Sequence, residues 1–304
     1  MEDLKGCPAC ESSNFKNFIS CKDYTVSGDY FTVNQCVECG LKFTSPRPAE
    51  AEIGKYYQSA DYISHSNKSN DGISKLYAAV RQFAVYQKVK LVMFLVPRGS
   101  QVVDLGAGNG YFVKQLISSG FKASGYEPSE DARKVAKTDF DIEIESLERF
   151  QSVEMQSINC ITLWHVLEHI HALKKTLNDI YSRLTTDGYL IIAVPNPESY
   201  DAKHYREFWA AYDVPRHLYH FSPDALTKLL LQSGFVLADK KPMLFDSTYV
   251  SLLSEKYKNG NMSLPQLLKG LWFGFVSNAH AFFTTKNYSS NIFIFKKTGG
   301  KTEG

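Results

Sequence analysis

Three groups of residues in this 304-residue chain have the types and spacing for chemistry. The first is the stretch Val102-Val103-Asp104-Leu105-Gly106-Ala107-Gly108-Asn109-Gly110, with an acid, Glu127, 21 residues after Gly106. Glycines tolerate positive φ and carry no Cβ, so a loop built on Gly106, Gly108 and Gly110 can turn sharply from a strand into a helix and let a ligand approach its backbone. The helix behind it offers free N–H groups and a positive dipole end to a carboxylate or phosphate. The second group is His165, Glu168 and His169, spaced i, i+3 and i+4, so that a helix would put them on one face. His217 and His220 follow in Pro215-Arg216-His217-Leu218-Tyr219-His220-Phe221-Ser222. The third is a pair of C-x-x-C knuckles, Cys7-Pro8-Ala9-Cys10 and Cys36-Val37-Glu38-Cys39, separated by 25 residues. Two such pairs supply the four thiolates of a closed tetrahedral zinc site, which is structural because no position is left open.

The elements that must position these groups alternate from Gln101 onward. Val102–Leu105, Ala123–Glu127, Ile142–Ile144, Ile158–Trp164, Tyr189–Val194, Phe235–Asp239 and Asn291–Lys297 read as strands. Helical segments fall between them: Tyr111–Ser119, Pro128–Thr138, a long one over His165–Leu184, and one opened by the cap Ser222-Pro223-Asp224. This alternation implies βαβ units and an α/β fold with a mainly parallel sheet, whose ligands bind at the carboxyl ends of the strands. Residues 1–45 form a zinc ribbon too small to fold without its metal. Residues 46–98 form a helical linker or cap over the site, with Tyr56, Tyr57 and Tyr62, a polar stretch His65–Asp71, and a long amphipathic helix over Ile73–Val96. Residues 99–298 form the main domain, interrupted by an apolar insertion at 246–289. The glycine-rich tail from Gly299 reads as disordered.

Asp104 precedes the first glycine by two residues, where it can reach a ligand ammonium rather than repel a pyrophosphate. Position 111 is Tyr, not the third glycine of a dinucleotide fingerprint. Glu127 ends the second strand, where an acid receives ribose hydroxyls. An ammonium, a carboxylate and a ribose in one crevice describe S-adenosylmethionine well and NAD poorly. On these residues the chain resembles the class I S-adenosylmethionine-dependent methyltransferases. Asp104, Gly106, Gly108 and Gly110 match the family's first motif, and Glu127 in Gly125-Tyr126-Glu127-Pro128-Ser129 matches its ribose acid. The resemblance covers about residues 100–297. It implies a seven-stranded Rossmann-like sheet with the last strand antiparallel, Ser146 and Leu147 flanking the adenine, and Tyr57 over the methionine end. Leu167-Glu168-His169-Ile170 is similar to the L-E-H-I signature of methyltransferases related to the ubiquinone-biosynthesis O-methyltransferases and the small-RNA 2′-O-methyltransferases. In some of those a Glu-x-x-Glu-His motif holds a divalent metal beside the accepting oxygen; here His165 replaces the first Glu.

Methyl transfer is an in-line displacement at a sulfonium carbon, so alignment of acceptor and methyl group dominates. A hydroxyl acceptor also gains from a positioned base, a task suited to histidine. Trp164 and His165 are expected at the junction of cofactor and acceptor, and His165, His169, His217 and His220 are the candidates to orient or deprotonate the acceptor. Trp164-His165-Val166-Leu167 stands where amino-group methyltransferases carry Asn/Asp-Pro-Pro-aromatic. The leading expectation is therefore methylation of a small molecule, such as an oxygen of a sugar or other metabolite. An RNA methyltransferase that reads its substrate through the ribbon is the alternative. Charge opposes it: the chain carries a net +2, and residues 1–50 hold five basic against seven acidic residues. A non-catalytic binding protein is opposed by the intact Asp104, glycine loop and Glu127. A polar start, short apolar runs and six cysteines point to a cytoplasmic protein with no transmembrane segment, Cys21 and Cys160 being buried thiols. Leu264–Phe283 reads first as core helices walling the pocket. A membrane face, a dimer surface or a lid over a lipid-linked acceptor are its other readings.

Overall fold

The chain builds two sheets around the strand run predicted from Gln101. The computed structural model describes residues 1–58 and 72–299; Tyr62, the stretch His65–Asp71 and the end of the tail lie outside them. The first three strands are β1 (Phe15–Lys22), β2 (Tyr30–Cys36) and β3 (Lys42–Thr44), an antiparallel ribbon. After helix α1 (Gly72–Leu95) come β4 (Gln101–Leu105), α2 (Tyr111–Ser118), β5 (Lys122–Tyr126), α3 (Glu130–Phe140) and β6 (Ile158–Trp164). Next are α4 (Leu173–Arg183), β7 (Leu184–Pro195), a short α5 (Tyr200–Tyr205) and the two-residue β8 (Tyr219–His220). The chain closes with α6 (Pro223–Gln232), β9 (Phe235–Pro242), α7 (Leu244–Asn259), α8 (Leu264–Phe283) and β10 (Ser290–Lys297).

The main sheet has the order β5-β4-β6-β7-β10-β9. Strands β5, β4, β6 and β7 run parallel, and β10 lies antiparallel between β7 and β9. Val102–Leu105 and Ile191–Pro195 are buried throughout, as central strands covered on both faces must be. Caps set the helix starts. Ser222 Oγ accepts from Ala225 N at 3.2 Å with Pro223 in the first turn, and Ser129 Oγ accepts from Ala132 N, so α3 begins at Glu130 rather than Pro128.

Three sequence expectations change. The seventh strand, Ile142–Ile144, is reduced to one parallel bridge between Tyr126 and Glu145. Alternating acids at 141, 143 and 145 leave this sheet edge without the apolar pair of faces that a parallel strand buries. The long helix over His165–Leu184 is broken: His165 has φ +57°, Leu167–His169 is a single 3-10 turn, and α4 starts only at Leu173. His165, Glu168 and His169 therefore meet through a loop and not along a helical face. The insertion does form helices, α7 and α8, yet α8 leaves its large apolar side chains exposed instead of walling a core.

The ribbon is not separate from the rest. β8 pairs with β3, Lys42 opposite His220 and Phe43 opposite Tyr219, which makes a four-stranded sheet β1-β2-β3-β8. One apolar cluster runs from Cys7, Leu41 and Phe43 through Leu218 and Tyr219 to Leu163, Ile192 and Phe293 of the main sheet. A second anchor is polar. The buried Asp201 carboxylate accepts from Trp209 Nε1 (2.8 Å), Ser277 Oγ (2.6 Å) and Ser289 Oγ (2.6 Å), joining α5, α8 and the entry to β10. Asp201→Ala strands three buried donors, each costing about 1–3 kcal/mol when unpaired. Thermal unfolding should show a loss of about 3 kcal/mol or more, roughly 6–12 °C in Tm. An unchanged Tm would remove this residue from the list of anchors.

Candidate active site

The glycine loop leaves β4 at the carboxyl edge of the sheet. Gly106 has φ +73°, and a Cβ there would collide with the Val166 side chain, so both conformation and space require glycine. Gly108 differs: it has φ +53° and a Cβ would meet nothing within 4 Å, so its backbone faces open space that a ligand can enter. Gly106 N and Ala107 N donate to Tyr126 O at 2.7 and 3.0 Å, which ties the loop to the end of β5. Gly110 caps α2 in a left-handed conformation. Glu127, just past β5, accepts from Gly108 N (2.9 Å) and from Ser129 N (3.0 Å). Its carboxylate thus stands directly across the loop. Glu145 exchanges backbone hydrogen bonds with Gly125 and Glu127, which sets Ser146 and Leu147 beside the same strand end, with Leu147 packed on the main core.

Asp104 is buried, and its Oδ1 accepts from Thr162 Oγ1 at 2.5 Å. Burial pushes its carboxyl up to about 7, opposed by Thr162 and by the Lys88 ammonium. Lys88 comes from α1, its Nζ 4.5 Å over the ring of Trp164. Trp164 also meets Phe112 edge-on at 5.7 Å, and its buried Nε1 has no hydrogen-bond partner among the described residues. Nothing in the sequence singled out Lys88, because it is one polar position in an amphipathic helix whose docking the sequence does not specify.

The histidines gather next to this edge. His165 Nε2 lies 3.0 Å from Asp246 Oδ2 of α7, and its Nδ1 lies 3.4 Å from Glu168 Oε1. Burial works against the imidazolium, but the two carboxylates win and push it up to about 10. Glu168 is fully buried, and neither oxygen has a hydrogen-bond partner among the described residues. His169 Nδ1 lies 3.0 Å from Arg216 O and 3.0 Å from Tyr57 Oη. His217 Nδ1 lies 2.9 Å from Ala211 O. A carbonyl only accepts, so each ring carries a proton on Nδ1, while His217 Nε2 lies 4.0 Å from Asp213 Oδ2. The two rings stand edge to face, 4.7 Å between centroids. Burial, and then His217, holds His169 down at about 4. One donor atom from each of Glu168, His169 and His217 lies within 4.8 Å of the others, a set that could hold a metal ion. His220 lies behind, its ring 6.5 Å from that of His217 and its Nε2 3.2 Å from Thr44 Oγ1 of the ribbon.

The loop that carries His217 is held by Arg216. Its Nη2 donates to Asp213 Oδ1 (2.7 Å) and Asp23 Oδ1 (3.1 Å), Nε to Asp213 Oδ2 (3.0 Å) and Nη1 to Tyr56 O (2.9 Å). Asp23 also accepts from Thr25 N, Val26 N and Ser27 N in the turn before β2. The sequence does not reveal this junction, since Asp23 and Tyr56 lie 193 and 160 residues from Arg216.

At the ribbon tip the four cysteine sulfurs cluster, Cys7 to Cys39 at 3.5 Å and Cys10 to Cys36 at 3.5 Å, all within 4.8 Å. A tetrahedron of thiolates around zinc spaces its sulfurs by about 3.8 Å, so the donor set and its size fit that ion. Cys21 and Cys160 are buried and outside the cluster, as expected.

A mixed sheet with one reversed strand next to its edge, and a ligand-ready glycine loop facing an acid on the adjacent strand, define an S-adenosylmethionine-dependent methyltransferase. The chain belongs to the methyltransferase domain family, which it matches over residues 78–240. Among curated proteins it is 22% identical over 165 residues to the ubiquinone biosynthesis O-methyltransferase of Xanthomonas axonopodis pv. citri (strain 306), covering 50% of this chain and 69% of that one. Among solved structures it resembles magnesium protoporphyrin IX methyltransferase from Synechocystis PCC 6803, crystallised with SAH (15% identity, 81% of this chain and 98% of that one, TM-score 0.51). Geranyl diphosphate C-methyltransferase from Streptomyces coelicolor A3(2) is another (10% identity, 77% and 88%, TM-score 0.50). At these identities the structural likeness is one of fold.

The Asp104 carboxyl generates a pH test. A carboxyl with a higher pKa in the folded than in the unfolded chain contributes stability that is full below about pH 4 and lost as pH rises through about 7. Cofactor-free Asp104→Asn should therefore melt above the wild type near pH 8, the two curves converging toward pH 4. A constant offset across that range would contradict the raised pKa.

Proposed function

We propose that this enzyme transfers the methyl group of S-adenosylmethionine to a hydroxyl oxygen of a small-molecule acceptor, such as a sugar or other metabolite. The observation that carries this reading is the Glu168–His169–His217 cluster: a buried carboxylate without a hydrogen-bond partner among the described residues, with one donor atom from it and from each of two imidazoles within 4.8 Å of one another. Such a carboxylate is costly to bury without a cation or proton donor, and the His165 ring, 3.4 Å from Oε1, offsets only part of that cost. Glu168, His169 and His217 would hold a divalent cation. When bound, that ion lowers the pKa of a hydroxyl it touches and fixes the oxygen. His165, between Asp246 and Glu168, keeps the Glu168 carboxylate ionised and oriented. His220 braces the same loop from the ribbon side. The curated relative is itself an O-methyltransferase, which supports oxygen as the accepting atom.

On the cofactor side, Glu127 offers two carboxylate oxygens to the paired ribose hydroxyls, and the loop of Gly106, Gly108 and Gly110 offers close approach to its backbone. Asp104 supplies negative charge for the ammonium. Ser146 and Leu147 flank the adenine, while Trp164 and His165 form the boundary with the acceptor. Tyr57, hydrogen-bonded to His169, closes the acceptor side. The chain then has to keep oxygen, methyl carbon and sulfur in line, which is a task of positioning. The four cysteines hold a structural zinc that stabilises the ribbon against which the His217 loop rests.

Glu127→Gln should weaken cofactor binding by about 10–100-fold in calorimetry. His217→Ala should leave that affinity unchanged and lower kcat by about 100-fold or more. Full activity of both His169→Ala and His217→Ala would defeat the acceptor-site assignment. The acceptor itself is sought by labelled methyl transfer to metabolite and RNA fractions in parallel. Labelling of RNA that collapses with added salt would replace the small-molecule reading. For the cysteines, elemental analysis should find about one zinc per chain, and Cys36→Ser should lower Tm. A metal-free, chelated sample of unchanged stability would refute the zinc site.

A further inference from the structure

Helix α8 is packed the wrong way round for a helix in water. The residues it buries are small: Gly270, Gly274, Ser277 and Ala281. A Cβ on Gly270 would strike Leu252 of α7, and one on Gly274 would strike the Thr248 backbone, so α7 and α8 approach at backbone distance. Phe273 stacks on His204, but most of the large apolar residues point outward instead. Trp272 is 62% exposed, Phe275 64% and Phe283 80%, with Leu264, Leu268 and Phe282 also exposed. At about 100° per residue these side chains fall within one arc of roughly 100°, while the small residues occupy a separate arc of roughly 60°. Small-residue contacts inside and large apolar residues outside form the pattern of helices that face lipid. Isolated exposed apolar residues need no explanation, but a contiguous face of this kind does.

No helix among the described residues is long and apolar enough to cross a membrane, so the arrangement suits the interface plane and not a span. The charges select the occupant. The hairpin 244–289 contains two acids, and both are engaged inward: Asp246 on His165, Glu255 on Tyr205 and Asn259. Its four lysines, Lys256, Lys258, Lys269 and Lys286, are all exposed. A second copy meeting this face across a two-fold axis would set lysine against lysine without an acid from the hairpin to pair them. An anionic bilayer supplies the opposite charge and an apolar layer for Trp272 and Phe275.

We infer that the α7–α8 hairpin docks this enzyme on an anionic lipid surface, with the exposed face of α8 set into the headgroup boundary. Because Asp246 of α7 also contacts His165, docking brings the acceptor side of the site next to the membrane. The inference stands on the hairpin alone and not on the identity of the acceptor.

The experiment is flotation of the full chain with vesicles of phosphatidylcholine mixed with phosphatidylglycerol, compared with phosphatidylcholine alone. The wild type should float with the anionic vesicles and much less with the neutral ones. The double variant Trp272→Ser/Phe275→Ser should partition about tenfold less or weaker still, with Tm and cofactor affinity unchanged because both side chains are exposed. Lys269→Glu/Lys286→Glu should abolish the preference for anionic lipid. Failure of the wild type to float with anionic vesicles would overturn the inference. So would a lipid-free dimer in light scattering that Trp272→Ser/Phe275→Ser dissociates, since the face would then be an interface between copies.

Discussion

The buried guanidinium of Arg216 is the interaction on which the histidine cluster depends. It is shared by Asp213 in its own loop, Asp23 in the ribbon turn and the carbonyl of Tyr56. A charge this deep is tolerable only because every direction is answered, and removing one partner of such a set costs about 3–5 kcal/mol. The three contacts fix three separate pieces of backbone relative to one another. One is followed directly by His217, and one leads into Tyr57, whose hydroxyl touches His169. Planar five-donor geometry explains why arginine and not lysine holds this point.

Around that constraint the ribbon acquires a purpose different from substrate reading. Its third strand pairs with β8, and its apolar cluster merges with the core of the methyltransferase sheet. Thr44 of β3 donates to His217 O at 2.8 Å and meets His220 Nε2. A metal held by the four cysteines would therefore act on the histidine loop through continuous hydrogen-bonded structure. The slightly acidic balance of residues 1–50 is consistent with a part that braces a site rather than one that grips a polyanion.

The buried acids show how one residue type serves different ends. Asp201 is satisfied by an indole and two hydroxyls, and works as a structural anchor. Asp104 has one close hydroxyl donor and a raised pKa, the signature of a group maintained at a cost to stability. Glu168 lacks any hydrogen-bond partner among the described residues and stands among the rings of His165, His169 and His217. Only the environment separates these three, because local sequence does not specify which partners a carboxylate will meet once buried.

By itself the sequence determined what depends on local geometry. The glycine loop, Glu127 and the C-x-x-C pairs were legible because their function requires particular residues at short spacing, where backbone conformation and reach leave few alternatives. Strand periodicity and the Ser222-Pro223 cap set the α/β order for the same reason. Tertiary structure alone decided the rest. The edge strand at Ile142–Ile144 shrank to a bridge, and the helix after Trp164 broke at His165, because propensity is a weak guide where tertiary contacts impose a turn. Lys88, Asp246, Asp213 and Arg216 entered the site from distant segments, and the outward face of α8 followed from close packing at Gly270 and Gly274. Such contacts are long-range pairings of charge and volume, and no periodicity in one segment carries information about the segment that will meet it.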